Sequence, residues 1–309
     1  MTRLKLTYRE IIWVVLCIVA SGRNAASAQQ EWSYTQYQFN LFDANSAYAG
    51  NHQTLSLAVR HRSQWIGLEG APVTEQFSAH APLMGNRLGV GLRVVSDRIG
   101  ARKQQLFKSS VAYKLQTMRG QFAVGITAGF LRSSIERGDL TAFDMNDEQL
   151  LHVGVAQVTP VVGAAVFYTT NRAFFGAETG SLNRTSLSDA KGSFARLYRN
   201  ANVIGGFIQP LGENDLIQVS SQLKWSEGQQ LQSEVNAHYL YRNKYMVGAG
   251  YRFGSAWQML ASCMVNEQFR IGLSYDSTIG KLMRNNQSSA ELFLGYTLRK
   301  RTSGVVRYF

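Results

Sequence analysis

Charge is scarce in this chain. Asp, Glu, Lys and Arg make up 17% of its 309 residues, against roughly 25% in an ordinary soluble domain. Disordered chains are charge-rich and poor in apolar residues; with 45% hydrophobic residues this sequence is not one of them. Long apolar runs are also missing. Ile11 to Ala20 is the single uninterrupted one, about half of the ~20 residues a membrane helix needs, so a helical membrane protein is excluded. Two cysteines, Cys17 and Cys263, can build neither a disulfide scaffold nor a four-cysteine zinc site. Against these shortages stand 28 glycines and 11% aromatic residues. They leave a large β-rich protein, soluble or in a membrane.

The first stretch reads as an export signal. Arg3, Lys5 and Arg9 precede the apolar Ile11–Ala20, and Ala26-Ser27-Ala28 is a small-x-small cleavage site. Residues 1–28 are therefore expected to be removed. Cys17 lies inside the apolar run behind Leu16, without the small residue that a lipidated cysteine would follow.

Beyond Gln29 the apolar period is two. Phe122, Val124, Ile126, Ala128 and Phe130 alternate with Gln121, Ala123, Gly125, Thr127 and Gly129, and Phe269, Ile271, Leu273 and Tyr275 with Arg270, Gly272, Ser274 and Asp276. Alternate side chains of a strand face opposite sides, so each segment has one apolar face and one polar or small face. Several runs reach ~10 residues, the length of a tilted transmembrane strand. About fourteen such segments begin near Thr54, Thr74, Arg87, Gln104, Gln121, Pro160, Ala173, Asn202, Asp215, Gln230, Tyr245, Ala256, Gln268 and Ser288.

The connections sort by side. Tight turns follow the even-numbered segments, at Gly85-Asn86, Arg119-Gly120, Asn171-Arg172, Gly212 to Asn214, Asn243-Lys244 and Asn266-Glu267. Longer loops follow most of the odd-numbered ones, at Gln64–Val73, Ile135–Val158, Asn183–Arg199 and Ser277–Gln287. An outer-membrane barrel has this asymmetry, with short turns and both termini in the periplasm; a soluble sandwich has no reason for it. The fold expected is all-β: a transmembrane antiparallel β-barrel of about 14 strands behind an N-terminal signal peptide, in the outer membrane of a Gram-negative bacterium. The apolar parity then faces lipid. The other parity lines the lumen with Arg60, Arg62, Arg93, Glu234, Arg252, Arg270, Asp276 and Glu291, whose opposite charges can pair there. Aromatics near strand ends (Tyr113, Trp225, Tyr241, Tyr245, Trp257, Tyr275, Tyr296) suit interfacial girdles.

Catalytic chemistry is not legible. The five histidines have no metal-ligand helix spacing, and neither a G-x-S-x-G elbow nor a phosphate-binding P-loop occurs. The Gly89-Val90-Gly91 and Gly248-Ala249-Gly250 triplets read as packing sites within strands. No catalytic residue, metal or cofactor is assigned, and an enzyme is not expected. Arg299-Lys300-Arg301 reads as a solvated strand end, with no nucleic-acid partner.

The N-terminal quarter is more specific than barrel physics requires. It contains Gln36-Tyr37-Gln38-Phe39-Asn40, Asn45-Ser46-Ala47-Tyr48-Ala49-Gly50, the run Arg62 to Thr74 (RSQWIGLEGAPVT), then Ser78, His80 and Pro82. These segments resemble the PorP/SprF family of type IX secretion system outer-membrane proteins, with Ser46 where that family usually has proline. A looser match extends to Glu291–Tyr296. The resemblance implies a barrel working with the secretion and gliding apparatus. Its partners would be other type IX components, periplasmic ones included, and exported adhesins held through their C-terminal domains, with outer-membrane lipid around the wall. A diffusion porin or hydrophobic-substrate transporter is the alternative.

The chain divides into a signal peptide (1–28), an N-terminal periplasmic or luminal plug segment (29–53), the barrel (54–300) and a basic tail (301–309). Gln64, Trp65, Glu69, Gly70 and Pro72 are the candidate partner-binding residues. Their loop faces outward by the strand count, and an indole among Gly and Pro suits a rigid loop. It reads either as a binding surface or as a seal over the barrel mouth, and the residues alone leave both open.

Overall fold

The computed structural model describes residues 32–52, 54–135, 156–182, 199–279 and 288–298. The expected signal peptide, the tips of three long loops and the basic tail lie outside the described residues. Fourteen antiparallel strands close into a barrel. In chain order they are β1 (Ser56–Ser63), β2 (Val73–Leu83), β3 (Leu88–Ile99), β4 (Arg102–Gln116), β5 (Gln121–Ile135), β6 (Gln157–Thr169) and β7 (Ala173–Ser181). There follow β8 (Asn200–Pro210), β9 (Leu216–Ser226), β10 (Gln232–Tyr241), β11 (Tyr245–Arg252), β12 (Ala256–Met264), β13 (Phe269–Thr278) and β14 (Ser288–Thr297). Each strand pairs with its sequence neighbours, and β1 closes on β14 with Ser56 opposite Thr297 and Ser63 opposite Ala290. Closure removes the open edges that would otherwise template aggregation or leave backbone groups unpaired in lipid.

The expected alternation is present and has the expected sense. On β5 Val124, Ile126 and Phe130 are exposed, while Ala123 and Thr127 are buried. On β13 Ile271, Leu273 and Tyr275 are exposed, while Ser274 and Asp276 are buried. In a barrel this inversion means apolar side chains in lipid and polar ones in the lumen. Exposed Tyr113, Tyr241 and Tyr245 ring one end, and Trp225, Trp257 and Tyr275 the other.

Strands β5, β7, β11, β12 and β14 begin where the alternation places them, and β6 departs most, starting at Gln157 rather than Pro160. The turns after even-numbered strands are short and locally determined. Asn86, Arg242 and Asn243 take left-handed backbone, and Asn266 Oδ1 accepts from the N–H groups of Gln268 and Phe269 at 2.9 and 2.8 Å. These turns gather at one end of the barrel, the end expected to face the periplasm.

The chain before β1 follows a path that the strand count does not predict. Both β1 and β14 meet the short-turn end, yet the preceding segment occupies the lumen and runs toward the opposite rim. The Trp32 carbonyl accepts from Lys224 Nζ (2.7 Å) near the outer end of β9. Its side chain packs against the cluster of Val95, Leu106 and Val161, toward the long-loop ends of β3, β4 and β6. From there the chain descends through three 3-10 turns, Tyr37–Phe39, Leu41–Asp43 and Ser46–Tyr48. It reaches the short-turn end at Gly50, whose carbonyl accepts from Lys114 Nζ at 2.7 Å, beside Asn86. The described chain therefore enters the barrel from the long-loop side.

Candidate functional site

Two features stand apart from the barrel wall: the filled lumen and the loop between β1 and β2.

The luminal segment is the hydrophobic centre of the molecule. Tyr37, Leu41, Phe42, Ala47, Tyr48 and Ala49 are each at most 2% exposed, and they form one cluster with inward side chains such as Phe167, Ile204, Ile208 and Phe293. Strand glycines make the room. A Cβ on Gly91 would overlap the Phe42 ring, and one on Gly272 would overlap the Gln36 side chain. The Gly89–Gly91 pair thus admits the segment to close approach.

Polar anchors fix the segment to strands around the wall. Asn40 donates to Ser78 on β2 (2.9 Å), Asn45 to the Val166 carbonyl on β6 (3.1 Å) and the Tyr37 hydroxyl to Ser220 on β9 (3.1 Å). The Ser46 N–H donates to Glu178 on β7 at 2.6 Å, and that carboxylate also meets Lys108 at 3.3 Å and Arg93 at 3.7 Å.

The densest set lies at the barrel seam. Arg60 holds Asp43 and Glu291, both at 3.0 Å; Arg62 holds Asp276 at 2.6 Å and Glu291 at 3.1 Å. Arg252 holds Glu234 at 2.9 Å and Asp276 at 3.4 Å. Thr35 sits within it, its N–H donating to Glu291 (3.0 Å) and its hydroxyl to Asp276 (2.7 Å). Charges with several fixed partners can persist out of water, where a lone one could not. The network joins β1 to β14, β13, β11 and β10 and ties the luminal segment to the closing pair. Six of the eight charges expected in the lumen belong to it, Arg93 pairs with Glu178, and Arg270 stands apart.

All five candidate partner-binding residues lie in the loop between β1 and β2, at the long-loop end. Gln64 donates its N–H to the Pro72 carbonyl at 2.9 Å, closing the loop at its base. The Trp65 N–H donates to Ser289 Oγ (3.3 Å) and that of Ile66 to the Ser288 carbonyl (2.8 Å), so the loop leans on the start of β14. The Gly70 carbonyl accepts from Gly100 N–H at 2.8 Å, which docks the far side on the turn between β3 and β4. Gly70 has φ +70° and Trp65 has φ +50°. Left-handed backbone is natural for the glycine but costs about 1–3 kcal/mol for an ordinary residue, so surrounding bonds hold Trp65 there. Pro72 is buried, Gln64 and Trp65 are half-buried, and Glu69 and Gly70 are exposed. Beside them Ile66 and Leu68 are 51% and 45% exposed; neither was singled out from sequence, although an apolar pair flanking glycine in an outward loop was the available signal. Asp43, Glu178 and Lys108 were also missed, being isolated charges whose partners lie far away in sequence.

A sequence model described as type IX secretion system membrane protein PorP/SprF matches residues 26–296. No curated protein matches the chain. Among solved structures the chain is similar to the Ralstonia pickettii toluene transporter TbuX, with TM-score 0.51 and 11% identity over 85% of this chain and 93% of that one. It is also similar to a TodX deltaS2S3 mutant monoaromatic hydrocarbon channel (TM-score 0.48, 13% identity, 86% and 94% covered). The Acinetobacter baumannii outer membrane protein Omp33 aligns with TM-score 0.48 and 8% identity over 80% and 100%. At such identities the likeness is one of fold.

Proposed function

The chain belongs to the PorP/SprF family of type IX secretion system membrane proteins, and from that premise we propose that it holds an exported protein at the cell surface. It is an outer-membrane component of that system. In the proposed role it acts as a non-enzymatic receptor and anchor, engaging an adhesin or other cargo through the cargo's C-terminal domain. Gln64, Trp65, Glu69, Gly70 and Pro72 shape the contact surface, and Ile66 and Leu68 supply its apolar area. Association with periplasmic type IX components, and service to gliding, belong to the same proposal.

One observation carries the reading: a loop fixed at three points, above a filled lumen, that leaves two large apolar side chains uncovered. A rigid loop loses little entropy on binding, and burying uncovered apolar area drives association. The luminal segment fills the route that a diffusion porin would need open. Substitution tests the role. Trp65→Ala and, separately, Leu68→Asp should each release the exported partner from cells into the medium, with barrel abundance in the outer membrane unchanged. Normal retention on cells that carry both variant barrels would refute it. Should Trp65→Ala remove the barrel itself, Trp65 is a seal, and the exposed Leu68 decides the question.

A further inference from the structure

Beneath the luminal segment, at the short-turn end, lies a cavity of about 310 Å³. Its roof is Gln38 to Leu41 with Tyr48, and its rim includes Asn243 and Gln268 beside the short turns and Thr297 at the end of β14. The size is at the lower end of ligand sites, ~300–1,000 Å³. At ~30 Å³ per water it has room for roughly ten, enough for a side chain with its own backbone but not for a folded element.

Two charged residues line it, Arg270 on the wall and the exposed Glu267 at the rim. Arg60, Arg62, Arg93 and Arg252 each lie within 4 Å of a carboxylate. Arg270, on the cavity wall, has no carboxylate that close among the described residues. Its Nε meets the Met264 sulfur at 3.2 Å, and its guanidinium lies 5.0 Å from the centroid of the Phe39 ring. A sulfur and a ring face are weak substitutes for an anion. The same wall carries buried polar atoms that make no hydrogen bond: the donor Gln218 Nε2 and the acceptors Gln38 Oε1 and Asn40 Oδ1. These side chains are 3%, 9% and 6% exposed, where an unmet polar group is unfavourable. Leu57, Leu216 and Met246 supply an apolar flank.

We propose that this cavity binds a short peptide segment bearing an acidic side chain, presented from the periplasm, with Arg270 as its anion anchor. The carboxylate answers the guanidinium. A simple carboxylate has acceptors only and leaves Gln38 Oε1 and Asn40 Oδ1 unmet. A peptide unit brings both an N–H and a C=O, so it satisfies the acceptors and Gln218 together. The site lies at the end opposite the β1–β2 loop and does not depend on the surface role proposed above.

The test uses the full barrel purified in detergent micelles, with acetyl-Leu-Glu-Leu-amide, its Leu-Gln-Leu counterpart and butyrate as probes in titration calorimetry. The Glu peptide should bind at least tenfold more tightly than either the Gln peptide or butyrate. Arg270→Gln should remove that preference, and Thr297→Trp, which fills the rim, should abolish binding of the Glu peptide with Arg270 intact. Equal binding of the Glu and Gln peptides would overturn the proposal, as would a Glu preference that survives Arg270→Gln. Butyrate binding as tightly as the peptide would mean a site for free solutes instead. If Arg270→Gln fails to fold, the wild-type peptide comparison and Thr297→Trp still decide.

Discussion

Arg252 and Glu234 face each other across β10 and β11, at 2.9 Å and with side chains 6% and 2% exposed. Their environments are unequal, and that inequality sets the expectation. In Arg252→Met, Glu234 keeps only the Gln258 amide at 3.4 Å, while Asp276 retains Arg62 and Thr35. A buried carboxylate is then left nearly alone, which costs about 3–5 kcal/mol, or roughly 10²- to several 10³-fold in the folded ratio at 1.4 kcal/mol per decade. The double variant Arg252→Met/Glu234→Met removes both charges and should recover most of that loss. Urea unfolding in lipid vesicles, supported by heat-modified mobility on gels, measures both. An Arg252→Met loss below 1 kcal/mol, or a double variant as weak as the single, would refute the idea that a coupled network secures the seam.

Two further outcomes follow from the same geometry. Ile126 is 64% exposed on the lipid face of β5, so Ile126→Arg should impair membrane assembly by about 2–4 kcal/mol near the bilayer midplane, with Ile126→Val neutral; equal yields of folded Arg and Val variants would contradict the facing. Because Trp32 lies toward the long-loop end, a cysteine at the half-buried Ser33 should react with an impermeant maleimide on intact cells, whereas one at Asn243 should react only after permeabilisation, and the reverse pattern would contradict the threading direction.

The barrel was legible because each strand carries its own evidence. Alternation assigns the two faces, and Asn, Gly and Thr at the turns fix where strands end, as at Asn266 and at Thr117, whose hydroxyl accepts from Gly120 N–H at 3.1 Å. The sorting of long and short connections then separated the two ends of the barrel. The luminal segment was harder, since Gln36 to Gly50 has no period and binds partners up to 255 residues away, as between Gln36 and Glu291. Its buried aromatics could be anticipated from composition. Its direction could not, because no local pattern says which rim a chain enters by. The β1–β2 loop shows the same division: Gly and Pro announced a shaped turn, but its docking on Ser289 and Gly100 depends on strands that close only in three dimensions.

That the lumen is occupied by the protein's own chain, and that the barrel binds rather than conducts, is tested most directly by single-molecule conductance of the purified barrel in planar bilayers. Buried side chains from Tyr34 to Asn51 fill the interior, so insertion of folded protein should give a silent bilayer at low voltage, with no steady ohmic step. A reproducible open-channel current from every inserted barrel would contradict the account.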